Sequence, residues 1–197
     1  MSAEIAKLET LNYYAKKFRR LRVDRAHGVA PHKPILLLSV IELFEKNDIS
    51  ENKLHISPKL VATFLKYWSC VGSLNHNPDI SRPFFHMKSG KFWHLMANRG
   101  YEKVISSGIK LKTFSEVKQA VNYAYLDEDL FDFLSIQKYR ESLVTVLVAR
   151  WFPGQLEEIK EIVNTDKLKE PLGTLVKSRY EYYLNLDNHP DSSELEF

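Results

Sequence analysis

Seven histidines, one cysteine and two blocks of positive charge are the residues of this chain with chemistry to offer. The histidines are His27, His32, His55, His76, His86, His94 and His189. None falls in an HExxH helix or in a Cys/His spacing that would close ligands around zinc, so no metal and no cofactor is expected. Cys70 can form no intramolecular disulfide, and nothing near it in the chain activates it as a nucleophile. There is no GxSxG elbow, and the seven glycines include no phosphate-cradling loop. These residues specify no reaction.

Binding remains, and the charge distribution says to what. Residues 1–35 hold eight Lys/Arg against three Asp/Glu, a net +5, and residues 81–112 hold seven against one, a net +6, while the other segments are acidic. Solvated surface accounts for a single basic block, but two blocks around aromatic segments point to an anionic partner. Arg19, Arg20, Arg25 and Lys88 are candidates to neutralise the phosphates of a nucleic acid, and the polar loop GSLNHNPDISR offers Ser73, Asn75, His76 and Asn77 to the backbone or to base edges. Pro83 and Phe84 beside Arg82 are unusual company for a phosphate, whose oxygens want donors and water; they suit a backbone that is partly apolar.

The elements that must position these groups follow from periodicity. With 197 residues and 44% apolar content the chain can bury a core. No run of 18 apolar residues and no signal peptide is visible, so no membrane is expected as partner, and the lone cysteine fits a cytoplasmic address. Residues 3–23 read as an amphipathic helix with a basic outer face, RAHGVAPHKP as a stiff loop, and residues 34–46 as a buried central helix. A short strand is expected at 53–56, then a helix with Ser57 as N-cap and Pro58 at its first position. FSEVKQAVNYAY, DEDLFDFLS, IQKYRESLVTVLVARWF and GQLEEIKEIV read as further helices, with Ser115 or Asp127 as caps. PLGTLVKSRYEYYLNL reads as a last helix before an acidic end, DNHPDSSELEF.

PFFHMKSGKFWHL reads as a hairpin about a Ser89-Gly90 turn, pairing Met87 with Phe92 and His86 with Trp93. His86 and His94 then point to opposite faces, which argues against shared metal coordination. The fold class is α+β: a mainly α-helical single domain with one small β-hairpin at about 83–97.

APHKPILLLSVIELFE, YWSCVGSLNHNP and RPFFHMKSGKFWHL, in that order and spacing, resemble the DNA sulfur-binding domain of McrA-like, phosphorothioate-dependent type IV HNH restriction endonucleases. The likeness covers roughly residues 10–155. It implies recognition of DNA in which a non-bridging phosphate oxygen is replaced by sulfur, through a small apolar dent with basic residues at its edge. The family's His-basic-Pro loop matches His32, Lys33 and Pro34, preceded by Pro31; its aromatic-Pro segment matches Arg82, Pro83 and Phe84, with His86 following. This chain departs from the pattern in carrying Lys33 where Arg is often found and Arg82 where an aromatic residue stands. The resemblance also implies that residues 1–163 are a noncatalytic recognition domain and that 164–197 lead toward an HNH nuclease domain in the same polypeptide; no HNH signature occurs after residue 155. Two other readings stay open at this stage: a reader of base-methylated DNA that stacks the hairpin aromatics on a flipped base, and a protein-interaction domain.

Overall fold

The computed structural model describes residues 3–163 and 173–188. At its centre is α2 (His32–Glu45), buried from Pro34 through Phe44. The run ILLLSVIELF has no polar face to turn outward, so it is stable only where other elements surround it. α3 (Pro58–Val71) packs alongside; Ser57 Oγ accepts the Leu60 amide at 3.2 Å and Pro58 opens the helix, as expected. α1 (Ala3–Arg19) lies against α8 (Gln137–Trp151), and the Trp151 indole donates to the Phe18 carbonyl at 2.8 Å. α1 stops short of residue 23, and Leu21 reaches the core from the irregular segment that follows. α7 (Glu128–Ser135) and α9 (Leu156–Val163) pack on α8, and α10 (Gly173–Asn188) on α3. Residues 164–172 and 189–197, with His189 and most of the acidic end, lie outside the described residues.

Residues 83–97 do not form a hairpin. Ser81–His86 is a short helix, α4, and Met87–Gly90 a 3-10 turn. Pro83 stands in the first turn of α4, where its missing N–H breaks no hydrogen bond. Gly90 is needed for a reason other than a hairpin: a Cβ there would lie 2.6 Å from the Phe92 ring. After Lys91, which is left-handed at φ 60°, the chain enters β1 (Trp93–Ala97).

The partner of β1 is β2 (Val121–Leu126), antiparallel, with Trp93 opposite Leu126, Met96 opposite Tyr123 and a bulge before Ala97. The helix expected through Tyr125 therefore ends early. α6 (Phe114–Ala120) is capped by Thr113, not Ser115, in a reciprocal box with Glu116. In VNYAYL the period of two prevails because Ala124 and Leu126 have a strand and a core to bury against. The strand expected at 53–56 is reduced to one bridge, Leu54 to Ala124. Beside it the Asn52 side chain bonds both the amide and the carbonyl of Leu126 at 2.8 Å, replacing a missing backbone partner. Asp127 stands at the N-cap of α7 as expected but makes no side-chain cap bond; its carboxylate accepts from Tyr14 at 3.1 Å and from His94 Nε2 at 2.6 Å. The class stands as α+β and mainly helical, with one two-stranded sheet among the described residues.

α2 and α3 are also joined by a buried charge pair. Glu42 Oε1 accepts from Lys66 Nζ at 2.6 Å and from Lys46 Nζ at 2.7 Å; the Glu42 side chain is 1% exposed and that of Lys66 7%. Removing Glu42 leaves Lys66 charged and unpaired in the core, at a cost of about 3–5 kcal/mol, and removing Lys66 leaves Glu42 with Lys46 alone, which costs less; replacing both with apolar groups of similar volume is close to neutral. Glu42→Leu should lower the urea midpoint strongly and Lys66→Met less, and the double variant should recover most of the loss seen in Glu42→Leu. A double variant no better than the worse single one would show that the pair is not the stabilising unit.

Candidate nucleic-acid interface

The first turns of two helices meet at this surface. α2 begins with His32 and Lys33 immediately after Pro31, and α4 begins with Ser81 and Arg82. Between α3 and α4 runs the polar loop 72–80. The His32 ring donates from Nε2 to the Asn77 carbonyl at 2.8 Å and packs 4.7 Å from the Trp68 ring and 5.7 Å from that of His76. Ser73 Oγ bonds His76 Nδ1 at 2.9 Å and accepts the Asn75 amide at 3.2 Å. Asn75 and Asn77 are held exposed as a result, with Leu74, 78% exposed, at the same tip. On the other side, Lys33 Nζ donates to Ser89 Oγ at 3.0 Å, and that hydroxyl donates to the His86 carbonyl at 2.9 Å. These bonds tie the start of α2 to the loop before α4 and to the turn after it.

The electrostatics are those of a site short of an anion. Among the described residues no carboxylate pairs with Lys33, whose ammonium is pushed down to about 8 by burial and by the Arg22 charge. His86 is held below the usual histidine range by burial first, then by Lys33, Lys88, Lys110 and Arg82. His32 is also held down by burial, against the pull of its bond to Asn77 and of Asp79. Cations that depress one another's proton affinity lose that penalty when a negative group arrives among them. Beside the cluster, Pro31 and Pro34 line a dent of about 200 Å3 with Val71, Ser73, Trp151, Phe152 and Gln155.

Of the expected contact residues, His32, Lys33, Ser73, His76, Asn77, Arg82 and His86 are brought to one surface, with Asn75 exposed beside them and Pro31 and Pro34 framing the start of α2. Phe84 is a correction. It is 1% exposed, with its ring perpendicular to that of Trp93 at 5.3 Å, so it belongs to the core, and the cavity it borders is lined by His55, Ile56, Lys118, Val121 and Asn122 and by none of the cluster residues. Pro83 is likewise buried. Lys88 donates to the Ile105 carbonyl at 2.8 Å and lies 4.1 Å from the Phe85 ring centroid, so it fastens the 3-10 turn to α5 (Glu102–Ser106). Arg19, Arg20 and Arg25 are exposed, and among the described contacts none joins them to the cluster. Arg22, Lys110, Ser89 and Leu74 escaped the sequence reading. A hairpin turn at Ser89 hid its contact with Lys33, and nothing in the local sequence marks Arg22 above its basic neighbours. No group of three or more metal-ligating side chains occurs among the described residues.

No model of a known protein family matches this sequence, and no curated protein does. A solved structure described as the sulfur binding domain of SprMcrA complexed with phosphorothioated DNA is similar to it, with a TM-score of 0.57 and 17% identity over 78% of this chain and 93% of that one. At that identity the likeness concerns the path of the chain. The fold implied by the three quoted segments is the fold found: this chain is built as a sulfur-binding domain is built.

Proposed function

We propose that this chain binds phosphorothioate-modified double-stranded DNA through the surface formed by His32, Lys33, Arg82 and His86, as the recognition module of a modification-dependent restriction endonuclease of the cytosol. Residues 1–163 would form the reader, and 164–197 would lead to an HNH domain that makes the cut. The observation that carries the reading is Lys33: a half-buried ammonium bonded to a serine hydroxyl, with no carboxylate partner among the described residues and with Arg22 and His86 in electrostatic reach. Such a group is stabilised by a phosphate.

Sulfur is larger, more polarizable and less strongly hydrated than oxygen, so it loses less on leaving water for a carbon surface. His86, kept neutral near pH 7, and the prolines of the α2 start supply such a surface next to Lys33. Asn75, Asn77 and Leu74, exposed on the loop, would meet base edges or a thymine methyl. The two other readings drew on hairpin rings. Phe85, Phe92 and Trp93 are all fully buried, so no flipped base or protein partner meets them.

Paired duplexes with and without one sulfur substitution should compete unequally, the modified one binding more tightly; equal affinity would end the sulfur-specific reading. Contact with four to six phosphates would give a slope of log K against log salt of roughly −4 to −5, and a slope near zero would exclude DNA.

Lys33 adds a pH dependence. A bound phosphate retains the proton that the free ammonium gives up at about 8, so affinity should fall as pH rises through that value, approaching tenfold per pH unit above it. Lys33→Gln should bind more weakly at pH 7 and lose this dependence, and Lys33→Arg should keep affinity to higher pH. An identical profile in Lys33→Gln would remove Lys33 from the site.

A further inference from the structure

Arg82 differs from Lys33 in already having a counter-ion. Its Nε lies 3.6 Å from Asp79 Oδ2, with the arginine side chain 65% exposed and the aspartate 24%. That carboxylate is not free to swing away. Asp79 Oδ1 accepts the Ser81 amide at 2.8 Å and the Ser81 hydroxyl at 2.5 Å. The Tyr183 hydroxyl lies 3.4 Å from the same oxygen and 3.4 Å from the Pro78 carbonyl, and it accepts the Ile80 amide at 3.3 Å. Tyr183 is itself 3% exposed, with its ring 4.6 Å from that of Phe114. The far end of the chain, on α10, thus helps pin a negative group beside an arginine on the DNA-facing surface.

A pinned carboxylate at an anion site is a competitor for the ligand. A phosphate can use Arg82 only by sharing it with Asp79 or by drawing it away, and an arginine already neutralised releases fewer cations from DNA. Resting on the nucleic-acid reading above, we propose that Asp79, held by Ser81 and by Tyr183 of α10, occupies Arg82 as a built-in phosphate competitor. It thereby restrains the backbone attraction that modified and plain duplexes share. The sulfur contact then contributes a larger part of the total affinity.

The test is the salt dependence of binding to the matched duplexes. Asp79→Asn keeps an oxygen for the Ser81 amide and loses the charge. It should raise affinity for both duplexes by the same factor, about two- to fivefold for a partly exposed pair, and steepen the salt slope by about 0.9 as Arg82 comes to count as a full phosphate contact. Adding Arg82→Gln to Asp79→Asn should abolish both gains. A loosened loop would weaken binding and could not steepen the slope, so an unchanged or flatter slope in Asp79→Asn overturns the proposal. If that variant does not fold, Arg82→Gln alone decides: with Asp79 in place it should flatten the slope by less than half as much as Lys33→Gln, and an equal loss overturns the proposal. A wild-type chain that binds neither duplex overturns the DNA reading itself, whereas wild-type binding that Asp79→Asn leaves unaltered overturns only the role of Asp79.

Discussion

Consecutive burial from Pro34 to Phe44 leaves α2 no freedom to rotate or to slide along its axis, because any such shift would move a large apolar side chain out of its packed position. The first turn of that helix is therefore the most rigidly placed part of the surface, and it is where His32 and Lys33 stand. The other parts of the interface are attached to it. His32 holds the loop 72–80 through Asn77, Lys33 holds the turn after α4 through Ser89, and α3, which delivers that loop, packs along α2. A surface assembled from loops thus inherits the rigidity of the core helix.

The start of α2 also breaks a rule of helix electrostatics. The N-terminal end of a helix carries partial positive charge and favours acidic residues, yet the first turn of α2 holds a lysine and a histidine and no acid. α4 does the same with Arg82 in its first turn. Local rules that fail in natural proteins fail most often at functional sites. Here α4 is compensated by Asp79, whose carboxylate accepts the Ser81 amide and pairs with Arg82, whereas the first turn of α2 has no such acid and a bound anion would relieve it.

Much of this was legible from local signals. The all-apolar run announced a buried α2, and Ser57-Pro58 announced the start of α3. The region 83–97 was not legible, because its determinants are distant. The alternation of PFFHMKSGKFWHL fits a hairpin, but the strand that completes β1 lies beyond two intervening helices, at Val121–Leu126. Gly90 has the identity of a turn residue and is required instead by the Phe92 ring. VNYAYL continued the period of α6 closely enough to pass for helix, and only pairing with β1 and Leu54 reveals it as strand. Side-chain contacts across long separations, such as Lys33 with Ser89 and Tyr183 with Asp79, have no local signature.

The displacement of Phe84 into the core changes what can surround a sulfur atom. Aromatic carbon was expected to supply the apolar wall; in this fold that ring is buried against Trp93. The remaining candidate in the right place is the His86 ring, half-buried and surrounded by Lys33, Lys88, Lys110 and Arg82. A protonated imidazole would hold water and repel those cations, whereas a neutral one presents a flat, weakly hydrated face. Burial first, and then the surrounding cations, favour the second state. The same positive charges that would attract a phosphate thus add to burial in favouring, in their midst, the kind of uncharged surface on which sulfur loses less than oxygen on leaving water.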